Sequence, residues 1–162
     1  VVDVSVIIIG VDSGLSTGIA EIYGGRRGLV FQGPPADAIN ELTSRLEELE
    51  QEDHTVTVAC ELFRKTGRAA HTHQPEAEVT AVKAALVAEM HGARVVLQPP
   101  ADAKRIASNA LLQRSGLWTL PSEIGRKDAN DVNDAMRHAV LAMSRYHASQ
   151  FDSLLAYAAS RY

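Results

Sequence analysis

The stretch SVIIIGVDSGLSTGIAEIY, Ser5 to Tyr23, decides the fold. Ser5 to Asp12 is a nearly continuous Val/Ile run closed by Gly10, Asp12 and Gly14, the pattern of a strand buried on both faces and followed by a turn. Thr17 to Tyr23 is again β-type, and Gly28 to Gln32 follows after Gly24, Gly25 and two arginines, so the three segments read as an antiparallel meander.

Working outward, Gly33, Pro34 and Pro35 break the chain, and Asp37 is the expected N-cap of a helix carrying Ile39, Leu42, Leu46 and Leu49 at spacings of three and four. Thr55 to Cys60 is a short β-branched strand with Glu61 at its end. Residues Lys65 to His73 read as a basic loop. Pro75 and Glu76 open a helix with Val79, Val82, Leu86 and Met90 on one face, ended by Gly92. Arg94 to Leu97 is the fifth strand, a helix is expected from about Asp102 to Gln113, and Leu117 to Arg126 is a loop. A last helical block begins near Asp128, with Val132, Met136, Val140 and Met143 in phase, then Phe151, Leu154 and Leu155. No internal repeat or low-complexity segment interrupts it. A meander feeding right-handed crossovers predicts an α/β domain over 1–162: a mixed five-stranded sheet, three antiparallel strands plus two parallel ones, with helices on both faces.

The 162 residues, 46% hydrophobic, suffice for one core. The single cysteine, Cys60, excludes an intrachain disulfide and lies in an apolar run, as expected of a buried thiol in a reducing compartment. The opening apolar run falls well short of the ~20 residues of a membrane span, which predicts a soluble, cytoplasmic protein. A net charge of −4 argues mildly against nucleic-acid binding. The distribution says more. Acids crowd Glu41 to Asp53, whereas Arg64, Lys65, Arg68, His71 and His73 sit together, and Lys104, Arg105, Arg114, Arg126 and Lys127 form further positive spots. These are either phosphate contacts or a solvated surface.

Asp12 ends the most apolar strand, where a carboxylate loses hydration unless something positive compensates. Taken alone it also fits a turn residue, and Glu61 alone fits an exposed strand end. If their two strands are parallel neighbours, both carboxylates emerge on one edge of the sheet, close enough to share a cation. Asp131 and Asp134, in KDANDVNDAMRH, share a helix face and flank the core-type Val132; first-turn acids also stabilise a helix dipole without further role. Four oxygen donors without a Cys/His cluster suit Mg²⁺ or Mn²⁺ and not zinc, and two such ions support in-line phosphodiester displacement. Lys104 is either a phosphate-neutralising group or a surface lysine. His138 either orients a water or phosphate or is a structural histidine.

IIIGVDSGLSTGIAEI resembles the first strand and hairpin of the RuvC Holliday-junction resolvases, through Asp12 and Gly14 and through Thr17, Gly18 and Ala20. VTVACELF looks like that family's second-acid strand, with Glu61, and DVNDAMRHA like its DxxD helix, with Asp131 and Asp134. The resemblance spans nearly the whole chain. It implies an RNase H-like fold and a homodimeric endonuclease that cleaves branched DNA with Mg²⁺ or Mn²⁺, leaves 5′-phosphate ends and needs no organic cofactor. Catalysis would rest on Asp12, Glu61, Asp131, Asp134 and Lys104, and DNA contact on Arg64, Lys65, Arg68, Lys104, Arg105, Arg126 and Lys127. The chain departs from the family at Ser13, where proline is usual, and at Phe63, which falls two residues after Glu61 where the family aromatic falls three after. The stretch from Leu97 to Lys104 is also shorter, so that Lys104 alone has a counterpart among two expected basic residues and Arg126 or Lys127 stands in for the other. These departures suggest a phage-encoded branch acting in the host cytoplasm.

The alternatives are a broader nuclease for flaps, forks, single strands or hybrid, and a non-catalytic DNA-branch binding protein. VDSGLSTG also resembles the phosphate loop of actin-like ATPases, but those need two such domains. The helix from Glu76 to His91 is the expected dimer surface, unless its apolar stripe simply covers the sheet.

Overall fold

The computed structural model describes residues 6–61 and 75–161. Strands β1 (Val6–Asp12), β2 (Thr17–Tyr23) and β3 (Arg26–Gly33) form the meander, followed by helix α1 (Pro35–Gln51) and strand β4 (Thr55–Glu61). After α2 (Pro75–Met90) and β5 (Arg94–Gln98) come α3 (Pro100–Ile106), α4 (Asn109–Arg114), the single turn α5 (Pro121–Ile124), α6 (Asn130–Tyr146) and α7 (Ala148–Ala159). The five strands lie in the order β3-β2-β1-β4-β5. β1 is antiparallel to β2 and parallel to β4, and β4 is parallel to β5, which is the expected mixed sheet. Being central, β1 is buried on both faces, which explains its unbroken Val/Ile run.

Strand parity separates two cores. Ile7, Ile9, Val11, Ile19, Val58 and Cys60 face α1 and α2, where Ala38, Leu42, Leu46 and Leu49 pack on them. Ile8, Ala20, Ile22, Ala59 and Val96 face α6, whose Val132, Ala135, Met136, Ala139, Val140 and Met143 are all buried. Cys60 lies inside the first core, and burial pushes its thiol up to about 12, so it is an inert packing group.

Helix α6 lies directly on the backbone of β1 and β2. A Cβ built on Gly10 would stand 1.8 Å from the carbonyl oxygen of Ala135, and one on Gly18 2.1 Å from that of Asp131. Three amide side chains hold the helix in place. Gln32 Oε1 accepts from the Val132 N–H (3.1 Å) while its Nε2 donates to the Asp128 carbonyl (3.0 Å), capping a helix whose N-cap, Ala129, has no capping side chain. Asn133 accepts from the Thr119 N–H and donates to the Thr119 carbonyl, at 2.9 and 3.0 Å. Gln98 Nε2 donates to the His138 carbonyl at 2.9 Å. On the other face the buried Glu21 accepts from Arg45 at 2.7 and 3.0 Å, tying α1 to β2. Leaving that carboxylate without its partner would cost ~3–5 kcal/mol.

Several sequence expectations are corrected. Helix α1 starts at Pro35 with Pro34 as N-cap, because proline is preorganised for the first helical position; Asp37 sits inside the first turn. The single helix expected from Asp102 to Gln113 is broken at Ala107, and Ser108 caps a new helix by accepting from the Leu111 N–H. The loop Leu117 to Arg126 contains α5, closed by Gly125 at φ 62°. In α2 the stripe Val79, Val82, Leu86 and Met90 faces outward, 51–80% exposed, while Ala77, Ala81, Ala84 and Ala88 face inward. The stripe therefore does not cover the sheet.

Replacing Gly10 or Gly18 by alanine sets a methyl group against a helix backbone that yields only if α6 lifts. Each change is expected to cost ~1–3 kcal/mol and to lower Tm by roughly 2–12 °C in a thermal melt. An unchanged Tm would mean that α6 is not seated on these strands.

Candidate active site

β1 and β4 run parallel with Val11 beside Cys60, so the next residues, Asp12 and Glu61, leave the same edge of the sheet on the face covered by α6. The seating of α6 at Gly18 brings its first turns to that edge. Asp12, Glu61 and Asp134 line one small cavity of about 50 Å³, together with Pro100, Ala103, Lys104, Arg137 and His138. Asp131 stands next to it, within the electrostatic reach of Asp12, and accepts a hydrogen bond from Ser16 in the β1–β2 loop. That loop is closed by Thr17 Oγ1, which donates to the Gly14 carbonyl at 3.4 Å. All four predicted acids are thus brought together. Glu21, also buried, belongs to the opposite face and to Arg45.

The larger concavities do not bring Asp12, Glu61 and Asp134 together, although Glu61 also borders one with Glu78 and Glu89 of α2. One of about 510 Å³ lies at the opposite edge of the sheet, around Gly24, Gly25, Arg26, Ser115 and Tyr157. The convergence of carboxylates makes the small acidic cavity the better candidate.

Electrostatics mark the site. Burial raises the Asp12 carboxyl well above its ordinary value of 3.8, and a side-chain hydrogen bond with Glu61 and the charges of Glu61, Asp134 and Asp131 push the same way. Asp131 is also raised, by burial first, against the hydrogen bond from Ser16 and with the charges of Asp128 and Asp134 adding. An all-carboxylate cluster of this kind fits a hard divalent cation, which relieves the mutual repulsion. As the side chains now stand, no three of the His, Cys, Asp or Glu groups among the described residues are in ligating geometry, so holding one ion takes rotation of at least one carboxylate.

Cations flank the acids along the same edge. Lys104, on α3, lines the cavity and is exposed, and Arg105 pairs with Asp102 at 3.6 Å. On the other flank the Arg126 guanidinium lies against Gly33, the end of β3 paired with Thr17, and the exposed Lys127 follows. Arg64, Lys65, Arg68, Phe63, His71 and His73 lie outside the described residues.

Sequence reasoning missed two residues here. Arg137 donates to Asp134 Oδ1 at 3.1 Å and to Asn109 of α4, and its guanidinium stands 5.9 Å from the Trp118 ring, so it fixes one carboxylate of the cluster. Its only sequence signal is the spacing of three from Asp134. Gln98 reaches His138 from β5; a glutamine on the inward parity of an apolar strand was the available sign. His138 is buried, and burial with the Lys104 charge lowers its imidazole to about 4.

No family model and no curated protein matches this chain. Among solved structures it is similar to T. thermophilus RuvC in complex with Holliday junction substrate, with a TM-score of 0.56 and 18% identity over 90% of this chain and 97% of that one. It is likewise similar to a second Thermus thermophilus RuvC structure, with a TM-score of 0.52 and 20% identity over 88% and 96% of the two chains. The mixed five-stranded sheet with its surrounding helices is the RNase H-like fold of RuvC.

A carboxyl held above its ordinary value binds more protons in the folded than in the unfolded chain. The stability it provides is therefore fully present below about 4 and is lost progressively as pH rises from there through about 9. In chelator at neutral pH, Asp12→Asn should raise Tm by about 2–4 °C per kcal/mol of repulsion removed and flatten the fall of Tm with pH. A lowered Tm under those conditions would contradict the clustering of the acids.

Proposed function

We propose that the chain is a metal-dependent endodeoxyribonuclease acting on branched DNA such as Holliday junctions. The observation that carries this reading is the convergence of Asp12, Glu61, Asp131 and Asp134 on one sheet edge with cations on both sides. Its support from outside the chain is the fold shared with a RuvC–junction complex.

The four carboxylates would hold one or two Mg²⁺ or Mn²⁺ ions. Such ions, when bound, activate water for in-line attack and stabilise the leaving oxygen, giving 5′-phosphate ends. Lys104 stands beside the acids as a neutralising group for the scissile phosphate. Arg137 keeps Asp134 in one orientation, which spares reorganisation during the reaction. Arg105, Arg126 and Lys127, with Arg64, Lys65 and Arg68, supply backbone phosphate contacts, which position DNA without reading its sequence.

Paired cuts across a junction require two sites, and the outward stripe of α2 offers the surface for a second copy. Val79, Val82, Leu86 and Met90 are joined by Leu97, 53% exposed, so the patch continues onto β5. Its small-residue opposite face already packs on the sheet, leaving the large side chains for an isologous contact. No helix among the described residues is long and apolar enough to cross a membrane, so the stripe is not part of such a span.

Labelled four-way junction, flap, fork, duplex, single strand and RNA–DNA hybrid, incubated with Mg²⁺, Mn²⁺ or EDTA, test the reading. Expected are paired metal-dependent cuts in the junction, reduced at least ~10²-fold by Asp12→Asn or Asp134→Asn. Preferential cutting of flaps or single strands would keep the site and change the substrate; tight junction binding without cutting would overturn the enzyme. Val82→Glu with Leu86→Glu should give a monomer in sedimentation velocity and convert paired cuts to single nicks, whereas an unaltered dimer would place the interface elsewhere.

A further inference from the structure

His138 is buried on α6 one turn beyond Asp134, yet its ring lines the acidic cavity. Its tautomer is legible from its neighbour. Gln98 Nε2 lies 2.9 Å from the His138 carbonyl oxygen, and a carbonyl only accepts, so the amide nitrogen and not Oε1 faces the helix. The same amide nitrogen lies 3.4 Å from His138 Nδ1. Facing an N–H₂ group, Nδ1 must be the acceptor, and the single proton of a neutral imidazole then sits on His138 Nε2. Protonating Nδ1 as well would set two donors against each other, so the ring is held neutral. Gln98 has no other polar contact that explains this orientation, since its own Oε1 is buried without a partner among the described residues.

We propose that His138 is a fixed hydrogen-bond donor, presenting Nε2–H to a phosphate oxygen held at the acidic edge, and that Gln98 is the positioning residue that sets its tautomer. This rests on the nuclease reading above. With Nδ1 engaged by Gln98 and a proton on Nε2, the ring has no free lone pair for a cation and is not a fifth metal ligand. It adds a neutral donor to the cavity that Lys104 also lines, for charge that grows on phosphate during displacement.

Nitrogen-15 correlation spectra of the imidazoles, recorded on the full chain in chelator between about pH 5.5 and 8, read the tautomer without any catalysis. The expected result is a protonated Nε2 and an unprotonated Nδ1 for His138 throughout, unchanged when Mg²⁺ is added; a protonated Nδ1 would overturn the proposal. In junction cleavage, His138→Leu should lower kcat about 10²-fold with junction Kd in Ca²⁺ changed less than about twofold, and His138→Gln, which keeps a terminal N–H, should recover about tenfold of that loss. Gln98→Leu should give an intermediate kcat and lose the single tautomer in the spectra, a readout that a merely structural role would not move. Thermal melts identify variants that fail to fold, and His138→Gln is then the deciding comparison against the parent. Full activity in His138→Leu, or equal losses in kcat and Kd, would overturn the donor role. A parent chain that cuts no DNA would sink the nuclease reading and with it the donor role, while the spectra would still decide the Gln98–His138 arrangement.

Discussion

Everything at the acidic edge depends on how closely α6 approaches the sheet. Helix and strand backbones meet at Gly10 and Gly18 without a side chain between them. An ordinary helix-on-sheet separation would place Asp131 and Asp134 a side chain farther from Asp12 and Glu61. The two glycines thus do for geometry what the carboxylates do for charge. The amides of Gln32, Asn133 and Gln98 then remove the remaining freedom of the helix to slide or rotate, because each bonds backbone groups that have fixed positions.

The cost of this arrangement is electrostatic. Four acids on one edge repel one another, and Arg137, itself largely buried, offsets part of that repulsion from within. A net charge of −4 hides the pattern, since the exposed acids of α1, such as Glu41 and Glu47, lie over the opposite face of the sheet from α6 while Lys104, Arg126 and Lys127 lie along the acidic edge. A sum over the chain is a poor guide to what a polyanion meets locally.

The central strand, the meander and the four acids were legible because they depend on local pattern: a continuous Val/Ile run, alternation ended by glycines, and acids placed where apolar segments stop. Helix α2 was only half legible. It carries two apolar stripes on opposite faces, one of alanines and one of large residues, and periodicity cannot say which one meets the sheet. The break between α3 and α4 at Ser108 is a capping choice that the helical spacing concealed. Arg137 and Gln98 left only faint signs, a spacing of three from Asp134 and a glutamine of inward parity, because their further contacts, to Asn109 of α4 and to His138, cross element boundaries.

Two of the four acids come from α6, late in the chain, and the other two from strands made far earlier. On the ribosome, the residues of β1 to β5 are all made before Asp131 and Asp134. The acidic constellation is therefore completed only after every strand of the sheet has been made. A nascent chain, or one cut short before α6, has neither the full set of carboxylates nor the helix that seats them. Synthesis itself sets the order in which the acidic edge is assembled.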